Sequence, residues 1–111
     1  MSMNVWVKCG RVFNLLDSAT ATGAADSIYK DSTKATFQAY GSTSAGTGSV
    51  TVAIQLSNDN THWVTFNSIS LTLGTTDTTD GFSTDEPWKY VRANVTEISG
   101  TGATVSVLMG V

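Results

Sequence analysis

The chain is poor in the residues that build metal, disulfide and acid–base centres. Its 111 residues include one Cys and one His. Cysteine and histidine therefore cannot assemble a structural zinc site, and no disulfide can close within the chain. No cofactor or metal is expected, and Cys9 should be a free thiol in a reducing cytoplasm. Charge is scarce as well: 14% of residues are charged and the formal net charge is -3. Duplex nucleic acid calls for a basic stripe, which this composition does not supply, so no nucleic-acid partner is expected. Long apolar runs are also missing. Met1–Val7 lacks the apolar core of a signal peptide, and Lys8 interrupts the chain directly after it. No window approaches a membrane span, so no membrane partner is expected.

Threonine, serine and glycine, by contrast, are abundant. There are 18 Thr, 13 Ser and 10 Gly beside a single Pro. Threonine favours strands, serine favours turns, and neither fills helix interiors well. With so little surface charge, the composition argues against a helical bundle, a coiled coil or a βα repeat. The length fits one domain.

Hydropathy patterning locates the strands. Val5 and Val7 alternate with Trp6 and Lys8, which suggests a short strand, and Val12 to Leu16 is apolar but too short to classify. Asp17 to Ser27 is small, polar and without period, and reads as a long loop. From Lys34 onward a period of two dominates: Ala35, Phe37 and Ala39; Val50, Val52, Ile54 and Leu56; Ile69, Leu71 and Leu73; Val91, Ala93 and Val95; Val105, Val107 and Met109. Gly41–Gly48, Gly74–Gly81 and Ser99–Gly102 read as loops or turns, and Ser57–Thr61 is turn chemistry before Trp63–Phe66 returns as a hairpin arm. The expectation is an all-β, single-domain, jelly-roll-like antiparallel β-sandwich of about seven or eight strands. Residues 1–16 would be an N-terminal strand or arm, 17–33 a loop and 34–111 the sandwich core.

Candidate chemistry is thin. His62 is the lone imidazole base, and no Gly-x-Ser-x-Gly elbow accompanies it. Asp85 and Glu86 are adjacent on an extended chain, so their side chains point apart and make no ready acid–base pair. Asp77, Asp80 and Asp85 fit no calcium-loop spacing and read as a solvated acidic loop. Gly46-Thr47-Gly48 lacks the Lys-Ser/Thr and the helix of a phosphate loop. No enzymatic activity is expected.

Aromatic residues carry more information. Trp6, Trp63 and Trp88 sit near strand ends, where they serve either as packing or as a platform for a ligand or partner. Alternation puts Trp88, Tyr90 and Arg92 on one strand face, opposite Val91, Ala93 and Val95. That face, with Trp63, is a candidate glycan or partner surface; the inner face of a curved sheet is the other reading. Outward positions such as Thr51, Gln55, Thr65, Thr72, Asn94 and Ser106 are uncharged. Two readings stand: threonine simply favours strands, or a neutral surface suits packing of identical neighbours, where like charges would accumulate repulsion.

Specific segments carry two resemblances. Leu56-Ser57-Asn58-Asp59-Asn60-Thr61-His62-Trp63 resembles the S-x-D-G-x-x-W hairpin of discoidin-like carbohydrate-binding β-sandwiches, and Trp88-Lys89-Tyr90-Val91-Arg92-Ala93-Asn94-Val95-Thr96 resembles their a-R-Y-V-R-L-x-V strand. Asn60 stands where those modules often have Gly, and their sugar-contacting loop residues and calcium site have no clear counterpart. The whole chain resembles the capsid staple (decoration) proteins of short-tailed enterobacterial phages of the epsilon-fifteen kind. Gly46–Asp59, Pro87–Thr96 and Ile98–Val107 carry that likeness. It implies a virion protein made in the host cytoplasm, lying on the outer capsid surface, paired as a homodimer across two-fold positions and clamping neighbouring major capsid subunits. The expected capsid-contacting arm is residues 1–16, with Val5, Trp6, Val7, Arg11 and Phe13, together with the loop 17–33; residues 41–48 and 74–87 are the next candidates.

Overall fold

A computed structural model describes residues 12–30 and 33–111. Nine strands, in chain order, make up the regular structure there: β1 (Val12–Ala19), β2 (Gly23–Ala24), β3 (Ile28–Tyr29), β4 (Ala35–Ser42), β5 (Ala45–Ser57), β6 (Val64–Leu73), β7 (Thr78–Thr84), β8 (Tyr90–Thr101) and β9 (Thr104–Gly110). No helix occurs among the described residues. The strands form two antiparallel sheets, one in the order β1-β9-β4-β7, the other β2-β8-β5-β6 with β3 also on β8. The fold is the expected all-β sandwich, with nine strands where the pattern predicts about seven or eight.

Alternation explains how the sheets meet. In β5, Val50, Val52, Ile54 and Leu56 are buried, each at 1% exposure or less. They face the other sheet's Phe37, Ala39, Val105, Val107 and Met109, which belong to the same buried cluster. One apolar face per sheet, pressed against its counterpart, removes both from water; each buried Val, Leu, Ile, Phe or Met side chain contributes roughly 1.5–3 kcal/mol. At the rim, aromatic rings continue the core outward. Phe37 lies 5.2 Å from Phe82, and Phe82 lies 6.0 Å from Phe66. Phe66 is the unpaired residue where the β5–β6 register shifts between Ile54 and Gln55.

Several features depart from the sequence reading. Residues 12–16, read as strand or arm, take the strand alternative: β1 pairs with β9, and Phe13, assigned to a contacting arm, sits opposite Met109, partly buried against the core. A register shift between Asn14 and Leu16 buries the consecutive residues Leu15 and Leu16, which breaks the period of two. The other arm residues, Val5, Trp6, Val7 and Arg11, lie outside the described residues. The 17–33 stretch is not one loop. β1 continues to Ala19, and β2 and β3 dock in tandem along the edge of β8. Thr78–Gly81, expected within a loop, belongs to β7. As an edge strand, β7 leaves most of its residues exposed and turns only Phe82 against the core, so little apolar alternation marks it.

Lys30 is the least expected member of the interior. It is 2% exposed, directly after β3. Its ammonium donates to the carbonyls of Glu86 at 2.7 Å and Thr33 at 3.2 Å, and its backbone N–H donates to the Lys89 carbonyl at 2.5 Å. Burial, and then the neighbouring charge of Lys89, lower its pKa from the ordinary lysine value, with Glu86 opposing.

Candidate functional site

The outer face of the second sheet gathers the aromatic and cationic groups. In β8, Val91, Ala93 and Val95 point inward, so Tyr90, Arg92 and Asn94 point out. Cross-strand register then sets the neighbours: Gln55 of β5 lies opposite Arg92, and Thr65 of β6 lies opposite Gln55. The Arg92 Nε donates to Gln55 Oε1 at 2.8 Å, and Gln55 Nε2 donates to Thr65 Oγ1 at 3.3 Å. The guanidinium carbon of Arg92 lies 4.3 Å from the centre of the Trp63 ring, a cation–π stack. One line further along, Tyr29 of β3 pairs with Tyr90, and their rings meet edge-on at 5.5 Å and 73°.

The β5–β6 turn holds Trp63 in place. The Ser57 hydroxyl is buried, accepts the N–H groups of Asp59 and Asn60, and donates to Asp59 Oδ1 at 2.9 Å. Asp59 Oδ1 in turn accepts the N–H groups of Thr61 and His62, at 2.9 and 2.8 Å. Its other oxygen lies 2.7 Å from His62 Nδ1. The two backbone donors, followed by the contacts of His62 and Ser57, hold the Asp59 carboxyl well below the usual carboxylate range. Asn60 takes a left-handed φ of 61°, which asparagine tolerates. Side chains also tie the turn to its surroundings: Ser27 Oγ donates to Asn60 Oδ1 at 2.6 Å, and the Lys89 N–H donates to Asn58 Oδ1 at 3.3 Å.

Serine, aspartate and histidine thus meet in one turn, but in an order unlike a hydrolytic triad. The carboxylate sits between the other two, and the hydroxyl points at Asp59 and not at the imidazole. A triad needs the imidazole between hydroxyl and carboxylate so that it can take the hydroxyl proton. The arrangement caps a turn and stiffens it.

Of the four residues assigned to the glycan or partner face, Trp63, Tyr90 and Arg92 come together. Trp88 does not join them. It precedes β8, which begins at Tyr90, and it packs against the core. Pro87 and the bend at Lys89 break the alternation that would have put Trp88 on the outer face. Tyr29 escapes sequence reasoning because it lies in a segment without period. Gln55 is legible as a neutral outward residue, but its bond to Arg92 depends on a register 37 positions apart in sequence.

The outer face of the first sheet is different. Register puts Val12, Gly110, Thr36 and Ser83 on one line across its four strands, and Asn14, Leu108, Gln38 and Gly81 on the next. Beyond them lie Ser106, Tyr40 and Thr79. None of these side chains is charged. A shallow groove of about 590 Å³ crosses β4 and β7 here, and its lining includes Thr36, Gln38, Thr79, Asp80, Gly81 and Ser83. Among the described residues no group of three or more His, Cys, Asp or Glu is placed to hold a metal ion. No helix there is long and apolar enough to cross a membrane.

No protein-family model and no curated protein matches the chain. Solved structures do. The SPBc2 prophage-derived protein YomS matches with a TM-score of 0.59 and 14% identity, over 99% of this chain and 100% of that one. The PBSX exported protein XepA matches with a TM-score of 0.50 and 11% identity, over 93% of this chain but 36% of that one. A CBM4 structure matches with a TM-score of 0.49 and 17% identity, over 93% of this chain and 68% of that one. At such identities the first two likenesses speak to the fold alone.

Proposed function

We propose that this chain is a non-enzymatic phage virion protein that decorates the outer surface of a capsid and staples neighbouring major capsid subunits. A full-length likeness to a prophage-derived protein of the same extent supports a phage setting. The observation that carries the reading is the run of uncharged residues, Val12, Asn14, Thr36, Gln38, Tyr40 and Ser83, across the middle of the outer face of the β1-β9-β4-β7 sheet. A decoration protein repeats over a lattice, so any charge at its contact surface repeats too. A neutral face avoids accumulated repulsion and the cost of desolvating ions. The domain is a plate of 47 × 40 × 18 Å, which offers two broad faces. One would lie on the lattice while the Arg92 face looks outward.

The mechanism is mass action. Each bound copy adds contacts that the bare shell lacks, and a copy bridging two subunits gains from effective concentration. Pairing of two copies across a two-fold position would be isologous. The test is co-sedimentation of the purified chain with capsids that lack it. Wild type should pellet with the capsids, and the double variant Thr36→Lys/Gln38→Glu should stay in the supernatant with its melting temperature unchanged. Equal pelleting of both proteins refutes the assigned face.

A second reading, carbohydrate binding, is favoured by the cluster of Tyr29, Tyr90, Arg92 and Trp63 on the opposite face. Glycan titration followed by tryptophan fluorescence tests it.

A further inference from the structure

The two terminal amino groups of Arg92 are the unused chemistry of this molecule. Its Nε is committed to Gln55, and its plane is stacked on Trp63. Neither terminal amino group forms an ion pair or hydrogen bond among the described residues. Two anchors hold a long side chain that would otherwise lose rotamer freedom on binding, so the ordering cost is already met. The outward neighbours set by strand register are Tyr29, Tyr90, Gln55, Thr65 and Asn94; the Asp59 carboxylate of the adjoining turn is taken up by Ser57, Thr61 and His62. On a chain of net charge -3, Arg92 is a cationic point among uncharged cross-strand neighbours.

We infer that this face binds a carboxylate-bearing saccharide, with the Arg92 fork taking the carboxylate and the tyrosines packing on the sugar ring. The inference rests on the carbohydrate-binding reading above and names the ligand class for it. A guanidinium fork matches a carboxylate with two parallel hydrogen bonds. Tyr29 is 54% exposed and, edge-on to Tyr90, presents ring surface to the C–H face of a sugar. Thr65, Gln55 and Asn94 supply hydroxyl and amide partners for sugar hydroxyls. An acidic peptide would use the fork but has no pyranose face for the tyrosines.

Calorimetric titration of the full chain tests this, with tetragalacturonate as the acidic probe, maltotetraose as the neutral one and polyglutamate as the peptide control. The acidic saccharide should bind best and weaken with added salt. Arg92→Gln should weaken it about 10- to 100-fold. Arg92→Lys, which keeps the charge but loses the fork, should fall between, and Tyr29→Ala should weaken the saccharide but not the peptide. Equal binding of both saccharides, unchanged by Arg92→Gln, overturns the acidic assignment and leaves carbohydrate binding standing. Polyglutamate binding as tightly as tetragalacturonate, with Tyr29→Ala neutral, overturns the saccharide. No binding by a folded chain removes both the inference and the reading beneath it.

Discussion

Phe37→Ala is the substitution that probes the sandwich most sharply. Phe37 is 1% exposed in β4, between the paired strands β7 and β9, and its ring meets Phe82 at 5.2 Å. Truncation removes a whole ring from the interior and leaves a cavity that two sheets cannot easily collapse around. Such changes cost about 3–5 kcal/mol. For a chain of 111 residues the unfolding entropy near the midpoint is about 0.23 kcal/mol/K, so the melting temperature should fall by roughly 13–22 °C. Thermal unfolding followed by circular dichroism, with urea titration alongside, measures both quantities. The neighbouring Gln38→Ala is the control. Gln38 points outward and donates one exposed bond of 3.3 Å to Thr79, so its loss should cost under about 0.5 kcal/mol. Similar losses at the two positions, or a Phe37→Ala cost below about 1 kcal/mol, would refute the inward placement of the ring and the strand register with it.

Lys30→Met should flatten part of the pH dependence. The folded chain holds Lys30 at a lowered pKa, so the unfolded chain binds that proton more tightly. Wild-type stability should therefore rise, relative to the variant, as pH climbs from the folded pKa towards the ordinary lysine value of 10.5. Urea midpoints measured from pH 7 upward check this, and parallel profiles would contradict it. Gly48→Ala should destabilise by about 1–3 kcal/mol, because an added methyl would collide with the backbone oxygen of Ser99. Gly74→Ala, with nothing within 4 Å of the new methyl, should be neutral or slightly stabilising in the same denaturant assay. Deleting residues 1–11 should weaken attachment to capsids more than it lowers the melting temperature; a truncated chain that does not fold would show instead that the segment belongs to the core.

The strands that the sequence revealed are those with one dry face and one wet face. Ala35, Phe37 and Ala39, or Val91, Ala93 and Val95, alternate in sequence as they alternate in burial. Where geometry departs from simple alternation the sequence is silent. The β1 irregularity buries Leu15 and Leu16 side by side, and the edge strand β7 needs little apolar residue content to stay paired. Lys30 could not be foreseen either, because its burial depends on the carbonyl of Glu86, 56 positions away. The site divides in the same way. Tyr90 and Arg92 are legible from the period of two in β8. Tyr29 and the Gln55 anchor come from pairings between distant strands, and Trp88 is lost from the face because a proline interrupts the strand just before it begins.

The most direct test of the decoration account is a cryo-electron microscopy map of the phage particle that carries this chain. Density for a nine-stranded sandwich should appear on the outer capsid surface, bridging adjacent major capsid subunits through the outer face of the β1-β9-β4-β7 sheet. Density for the chain confined to the tail or its fibres, with a bare capsid exterior, would contradict it.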